Sequence, residues 1–363
     1  MKFSLLLFML INCYTKSNPT NSAELSDVIL RFNQRLSSDF KVVNGEIANL
    51  IDFPYAAFIL ADLGSLSYMC TGSLIAEGTI LTAAHCLFTK YGEIPPSSMY
   101  VSIGSTSSIL TNENFYRVID SIPHPEYSND TIVNDIGIVK FNQALSDYTP
   151  FAKIYSSDVS DSLPVAAAGW GVTSNSDTAM PSNLLISVPL KISSSDLCSY
   201  LYPLWTSNND KLICTEILNG QSPCYGDSGG PLAYSDVSPM PIVGVISFGL
   251  SKPFNASSDE RSDCGLTGAT GYYTHAFNYI DWIAETSGIE KNSLLYNESA
   301  SNDANIASVS NFSPIPTSFS SKISNNSPET SYSTNNSLPS SFNPIILSLT
   351  IVVSIIYHVY QMY

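Results

Sequence analysis

Between Val42 and Gly288 the chain repeats one pattern: short runs of β-branched and aromatic residues, each ended by a cluster of Gly, Pro, Asn or Ser. The runs fall at residues 56–60, 72–75, 80–83, 100–103, 136–141, 165–169, 185–190 and 242–248. Runs of strand length separated by turn residues predict an all-β barrel or sandwich. Residues 275–286 differ, with Phe277, Ile280, Trp282 and Ile283 at helical spacing. They predict a helix that begins at His275 and closes the domain.

The segments outside this region cannot form a core of their own. MKFSLLLFMLINCY places Lys2 before an apolar run from Phe3 to Ile11, the pattern of a secretory signal peptide and too short to span a bilayer. Residues 1–17 are expected to be removed, with cleavage between Cys13 and Ser17, leaving a polar segment, 18–41, that ends in Ser-Asp-Phe-Lys41. Residues 289–343 are rich in Ser, Asn, Thr and Pro and read as a disordered stalk. Residues 344–363 form an apolar tail without a basic flank. Its length suits a single-pass helix, and its place after a polar spacer suits a GPI-attachment signal, with Asn335-Asn336-Ser337 as one attachment site. The missing Lys or Arg favours the GPI signal over a retained span. Either anchor tethers the domain to a membrane in the secretory pathway or at the cell surface.

Secretion implies an oxidising environment. Cys13 leaves with the signal and six cysteines remain: Cys70, Cys86, Cys198, Cys214, Cys224 and Cys264. Parity predicts three disulfides, with the connectivity open. Sequons at Asn129, Asn255, Asn297, Asn311, Asn325 and Asn335 are candidate glycosylation sites, with Pro314 weakening the one at Asn311. A formal charge of −16 disfavours nucleic acid or anionic lipid as a partner of a basic surface. No internal repeat is visible.

The densest chemistry lies in CYGDSGGP, residues 224–231. A serine hydroxyl is a poor nucleophile unless a base removes its proton, a third group orients that base, and donors stabilise the oxyanion. Ser228 is the candidate nucleophile. Gly226 lacks a Cβ, so its N–H can face a substrate carbonyl, and the Ser228 N–H is the natural second donor. Of four histidines, His124 lies in a Pro-His-Pro turn, His275 at the closing helix and His358 in the tail, whereas His85 in LTAAHC is held beside a cysteine. Taken alone, a His beside a Cys is more often structural. Asp135 in NDIGIVKF opens a strand of Ile136, Ile138 and Val139 that would bury it; the plainer reading is a turn residue at a strand start.

LTAAHC, NDIGIVK, AAGWG and CYGDSGGP, in that order, resemble the motif set of the trypsin/chymotrypsin-like serine proteases over residues 42 to about 288. The resemblance implies two six-stranded antiparallel β-barrels with a C-terminal helix and the site in the cleft between the barrels. It implies His85 as general base and then acid, Asp135 as the group holding its tautomer, and Ser228 as the residue attacking the peptide carbonyl. Gly226 and Ser228 would form the oxyanion hole, and Ser247 would support Asp135. The disulfides implied are Cys70–Cys86, Cys198–Cys214 and Cys224–Cys264. Lys41 precedes Val42-Val43-Asn44-Gly45, as the family's activation residue does, with Asn44 in place of the usual glycine. Cleavage there would free a Val42 ammonium to pair with Asp227 and turn Gly226 into its productive orientation. No metal or cofactor is implied, and the loop from Gly104 to Glu113 has acidic residues only at its end, against a calcium site.

By the same resemblance Ser222 is the base of the specificity pocket and Gly249 and Gly271 are its walls. A neutral, glycine-walled slot favours large hydrophobic or aromatic residues, because a buried cation without a partner costs several kcal/mol. Pro223 stands where a small residue is usual. The 250–263 segment is longer than expected and carries Asp259, Glu260 and Asp263, which could restore a preference for Lys or Arg. The expected partners are protein or peptide substrates, protease inhibitors, and a separate activating protease of trypsin-like specificity. Two other functions use the same residues: a catalytically idle surface protein that keeps the fold for binding, and a non-peptide esterase.

Overall fold

The computed structural model describes residues 45–297 apart from 65, 112–114, 143–149, 177–178 and 257–262. The signal, the propeptide with Lys41 and Val42, the sequons at Asn311, Asn325 and Asn335, nearly all of the stalk, and the tail lie outside the described residues. Among the described residues no helix is long and apolar enough to cross a membrane.

Twelve strands form two closed rings. The first comprises β1 (Ala56–Asp62), β2 (Ser67–Ala76), β3 (Thr79–Thr82), β4 (Met99–Ile103), β5 (Tyr116–Pro123) and β6 (Gly137–Phe141). The second comprises β7 (Pro164–Gly169), β8 (Ile186–Ile192), β9 (Leu212–Glu216), β10 (Pro231–Tyr234), β11 (Ile242–Leu250) and β12 (Thr270–His275). All pairings are antiparallel, in the orders β1-β2-β3-β6-β5-β4 and β7-β8-β9-β12-β11-β10, each closing on its first strand. The two six-stranded barrels implied by the motifs are therefore present. A two-residue strand, Glu46–Ile47, adds to β8.

Local sequence explains these elements. In β1, AAFILAD is buried up to its last residue, because one face lines the barrel interior and the other is covered by the rest of the molecule. Strand β5 was not expected. A bulge between Val118 and Asp120 shifts its alternation and leaves Ile119 61% exposed, so the period-two signal breaks midway. His275 ends β12 rather than starting the helix. The chain passes through a 3-10 turn at Ala276–Tyr279 into the helix Ile280–Ser287, which Gly288 ends at φ 74°. The helical spacing was real, but its first turn belongs to a tighter helix that the strand enters directly.

The ordered chain continues past the Gly288 boundary expected from composition. A short helix, Lys291–Leu294, buries Leu294, and Ile289 and Leu295 pack on the core. Ile154, in the connection between barrels, donates its N–H to the Leu294 carbonyl and accepts from Tyr296 N–H, at 2.8 and 2.9 Å. The few large apolar residues after Gly288 are enough to dock this segment.

Three disulfides, Cys70–Cys86, Cys198–Cys214 and Cys224–Cys264, use all six cysteines among the described residues, in the pairing that the resemblance implies. At the seam between barrels, Trp170 follows β7 and is 1% exposed. Its Nε1 donates to the Thr106 carbonyl at 2.8 Å, and its ring meets Phe58 of β1 edge-on at 5.5 Å. Trp170→Ala would remove that plug and one of the two donors of the Thr106 carbonyl, which keeps the Leu185 N–H at 2.7 Å, and the cavity left should cost about 3–5 kcal/mol. The expected result is a lower urea midpoint with an unchanged m-value.

Candidate active site

His85 lies on a 3-10 turn, Ala84–Leu87, directly after β3, and the Cys70–Cys86 disulfide ties that turn to β2. Asp135 precedes β6 and is fully buried. An ionised carboxylate there must be supplied with donors. The His85 N–H donates to Oδ1 at 2.8 Å and His85 Nδ1 lies 2.7 Å from Oδ2. Ser247 Oγ also donates to Oδ2, and Thr274 Oγ1 donates to the Asp135 carbonyl at 2.7 Å. Nδ1 therefore carries the proton in the neutral ring, which leaves Nε2 as the basic nitrogen, and the side chain is 28% exposed.

The electrostatics follow from this pairing. Burial alone would push the His85 pKa down, but the Asp135 charge and hydrogen bond outweigh it, and the net direction is up. For Asp135, burial would raise the pKa, and the His85 charge with hydrogen bonds from His85 and Ser247 carries it below the usual carboxylate value. Each partner favours the charged form of the other.

Ser228 reaches the same place from the second barrel, on the turn between β9 and β10. Thr71 of β2, next to Cys70, donates its N–H to the Ser228 carbonyl at 2.8 Å and its Oγ1 to the Gly226 carbonyl at 3.0 Å. Cys86 Sγ lies 3.5 Å from the Ser228 carbonyl, a contact only, since a disulfide sulfur has no proton to donate. Among the described residues, no acceptor takes the Gly226 or Ser228 N–H. Gly226 has φ 101°, a conformation that requires glycine, and a Cβ there would also come within 2.1 Å of Met69 Cε and displace the end of that side chain.

Asp227 points away from this cleft. Gly171 N–H donates to its Oδ1 and Cys224 N–H to its Oδ2, each at 2.7 Å. Burial pushes its pKa up to about 6 despite these two bonds. A Cβ on Gly169 or Gly171 would stand 2.2 or 2.6 Å from Asp227, which explains the glycines of AAGWG. Asp227 borders a small cavity also lined by Ile186, Val188, Ser222 and Pro223. Gly45 packs on Ile186 and Val188, where a Cβ would meet their methyls at 2.6 and 2.7 Å.

In the expected specificity pocket, Ser222 is buried and its Oγ accepts from the Gly265 N–H at 2.8 Å. Gly249 and Gly271 face each other across β11 and β12. The slot beside Gly271 is not empty: the Tyr273 hydroxyl would stand 2.9 Å from a Cβ there, and Thr215 Oγ1 3.0 Å. Asn175 holds the loop that follows, its amide bonding both the Cys264 carbonyl (2.9 Å) and N–H (2.8 Å). In the long segment after β11, Phe254 packs on Tyr202 and Phe248, and Asp263 is exposed. Asp259, Glu260 and Arg261 lie outside the described residues. Asn129, Asn255 and Asn297 are all exposed.

The remaining histidines stand apart from this site. His124 packs on Trp282 and Tyr279, and burial, reinforced by Lys211 and opposed by Glu126, lowers its pKa. His275 is buried beside the Asp210 carbonyl. His358 lies outside the described residues. Cys70, His85 and Cys86 bring possible metal-ligand atoms together, but both cysteines are spent in a disulfide and offer no thiolate. Sequence reading missed Thr71, Thr274, Tyr273 and Asn175, none of which lies in a recognisable motif.

A family model described as Trypsin matches residues 42–283. Trypsin II-P29 of Gallus gallus is 30% identical over 254 residues, covering 69% of this chain and 90% of that protein. CLIP domain-containing serine protease B15 of Anopheles gambiae is 29% identical over 260 residues, covering 66% and 67%. Phenoloxidase-activating factor 3 of Holotrichia diomphalia is 29% identical over 272 residues, covering 69% and 73%.

Asp135→Asn would leave burial acting on His85 without a compensating charge. The imidazole is then expected to titrate below its ordinary 6.5, whereas in the unaltered chain it titrates above it. Proton NMR of the ring C–H signals measures both.

Proposed function

The chain belongs to the trypsin family of serine proteases, and on that premise we propose that it is an active endopeptidase made as a zymogen, with Ser228, His85 and Asp135 as its catalytic residues. The observation that carries this is the buried Asp135 carboxylate 2.7 Å from His85 Nδ1, which leaves Nε2 free to act as a base.

Ser228 Oγ attacks the carbonyl carbon of the scissile bond while His85 Nε2 takes its proton. The carbonyl oxygen becomes an oxyanion, and the Gly226 and Ser228 N–H groups receive it. His85 then returns the proton to the leaving amine, the peptide bond breaks, and an acyl-enzyme remains on Ser228. Water, deprotonated by His85, hydrolyses the ester. Protonated His85 cannot accept the Ser228 proton, so kcat/KM falls as pH drops through the raised His85 pKa.

Activation follows cleavage after Lys41. Gly45 packs against two residues that line the Asp227 cavity, and Val42 lies only three positions before it. Three extended residues span roughly 10 Å, enough for a freed Val42 ammonium to enter. A carboxylate whose pKa burial has raised to about 6 gains from such a partner, which would bring that pKa down.

For substrate preference, the neutral Ser222 supports cleavage after large hydrophobic or aromatic residues. The relatives named trypsins support the other reading, a basic residue. With an aromatic preference the enzyme cannot process Lys41 itself, so a trypsin-like protease activates it. The signal and tail support a secreted, membrane-tethered, glycosylated protein, with protein substrates and inhibitors as partners.

Trypsin treatment of the precursor should convert it to a form whose Ser228 reacts with a fluorophosphonate. Lys41→Gln should resist conversion at that site, and Ser228→Ala should never label; an unlabelled cleaved wild type defeats the enzyme reading. With the activated enzyme, a positional peptide library should enrich Phe, Tyr, Trp or Leu before the cut. Enrichment of Lys or Arg would establish trypsin-like specificity instead.

A further inference from the structure

The loop that delivers Asp135 is strained. Ile132 and Asn134 both have left-handed backbone, φ 53° and 58°. That region is costly for residues other than glycine, most of all for a β-branched one, and it persists only where surroundings over-determine it. The Ile136 N–H donates to the Asn134 carbonyl at 2.9 Å, closing a three-residue turn with Asp135 at its centre. The direction in which Asp135 leaves the turn is therefore set by the backbone of Asn134.

Three side-chain bonds hold Asn134, which is 6% exposed. Its Oδ1 accepts from Lys211 Nζ at 3.0 Å and from the Tyr279 hydroxyl at 2.9 Å, and its Nδ2 donates to the Glu126 carbonyl at 2.8 Å. The amide orientation is chemically determined, since an ammonium donates and never accepts. Lys211 adjoins β9 and Tyr279 lies on the 3-10 turn after β12, so two of the three bonds cross from the second barrel to a loop of the first.

We propose that Asn134 is a positioning residue for the Asp135–His85 pair: its side chain, gripped by Lys211 and Tyr279, holds the strained turn that aims the Asp135 carboxylate at His85. This rests on the reading of Asp135 as the group that orients the general base. A strand-start asparagine of purely local importance would leave the chemistry unchanged when altered. A positioning residue would not.

The test uses the full chain activated at Lys41, and compares Asn134→Gly with Asn134→Ala. Glycine keeps the left-handed backbone at little cost and removes only the three bonds, whereas alanine loses both. In Asn134→Gly, kcat should fall about tenfold or more with KM within about twofold, because orientation rather than substrate binding is lost. The His85 titration should move down relative to wild type. Lys211→Met and Tyr279→Phe should each move both readouts the same way by a smaller amount, and they decide the matter if both Asn134 variants fail to fold. Asn134→Gly with wild-type kcat and an unmoved His85 titration would overturn the proposal. A wild-type enzyme that never labels with fluorophosphonate refutes the protease reading instead. The His85 titration needs no turnover and still decides whether Asn134 positions Asp135.

Discussion

The structure depends on one buried charge. Asp135 has no exposed surface, and a carboxylate removed from water is tolerable only when its lone pairs are filled. The first barrel supplies two donors, both from His85. The second supplies the Ser247 hydroxyl to the carboxylate and the Thr274 hydroxyl to the main-chain carbonyl. Neither barrel alone satisfies Asp135. Closing the seam completes its shell, and the same closure brings Thr71 against the carbonyls of Gly226 and Ser228. Packing of the barrels and assembly of the candidate site are thus a single event.

Asp227 shows what burial does when the partners differ. It too is buried, but its donors are two backbone N–H groups and no cation, so its pKa rises where that of Asp135 falls. One carboxylate faces an imidazole that donates to it and can take up a positive charge. The other has hydrogen bonds without a counter-charge and borders a cavity. The proposed Val42 ammonium would answer that deficit, and AAGWG keeps two glycines there because the Asp227 side chain occupies the space of their Cβ atoms.

Most strands were legible because runs such as AAFILA in β1 are buried throughout and bounded by turns. The exceptions have physical reasons. The bulge in β5 breaks its alternation, β9 and β10 are only five and four residues, the latter beginning with proline, and β12 carries a glycine and two tyrosines that blur into the following helix. The chemistry-bearing side chains sat in motifs, but the residues that hold them did not. Thr71 serves Gly226 from 155 positions away, and Thr274 serves Asp135 from 139. Such roles arise from sheet register, which no local pattern encodes. The glycine walls of the pocket could be named by resemblance. Thr215 reaching the space beside one of them depends on the pairing of β9 with β12, and it meets there the hydroxyl of Tyr273, two residues along the same strand as Gly271.

No repeat is visible in the sequence, yet the two barrels share one strand order. In that common numbering His85 and Ser228 occupy equivalent connections, third strand to fourth, so the proposed base and nucleophile come from the same topological position in each barrel. Asp135 lies in the connection from fifth strand to sixth. Its counterpart in the second barrel is the long segment after β11, whose one described acid, Asp263, is exposed. A third connection bridges the two counterparts: Phe254 packs on Tyr202, between β8 and β9, and the Tyr202 hydroxyl donates to the carbonyl of Thr131, in the loop that leads to Asp135. The described part of this connection therefore reaches the Asp135 loop only through Tyr202, while the contacts of the carboxylate itself stay within the shell shared by the two barrels.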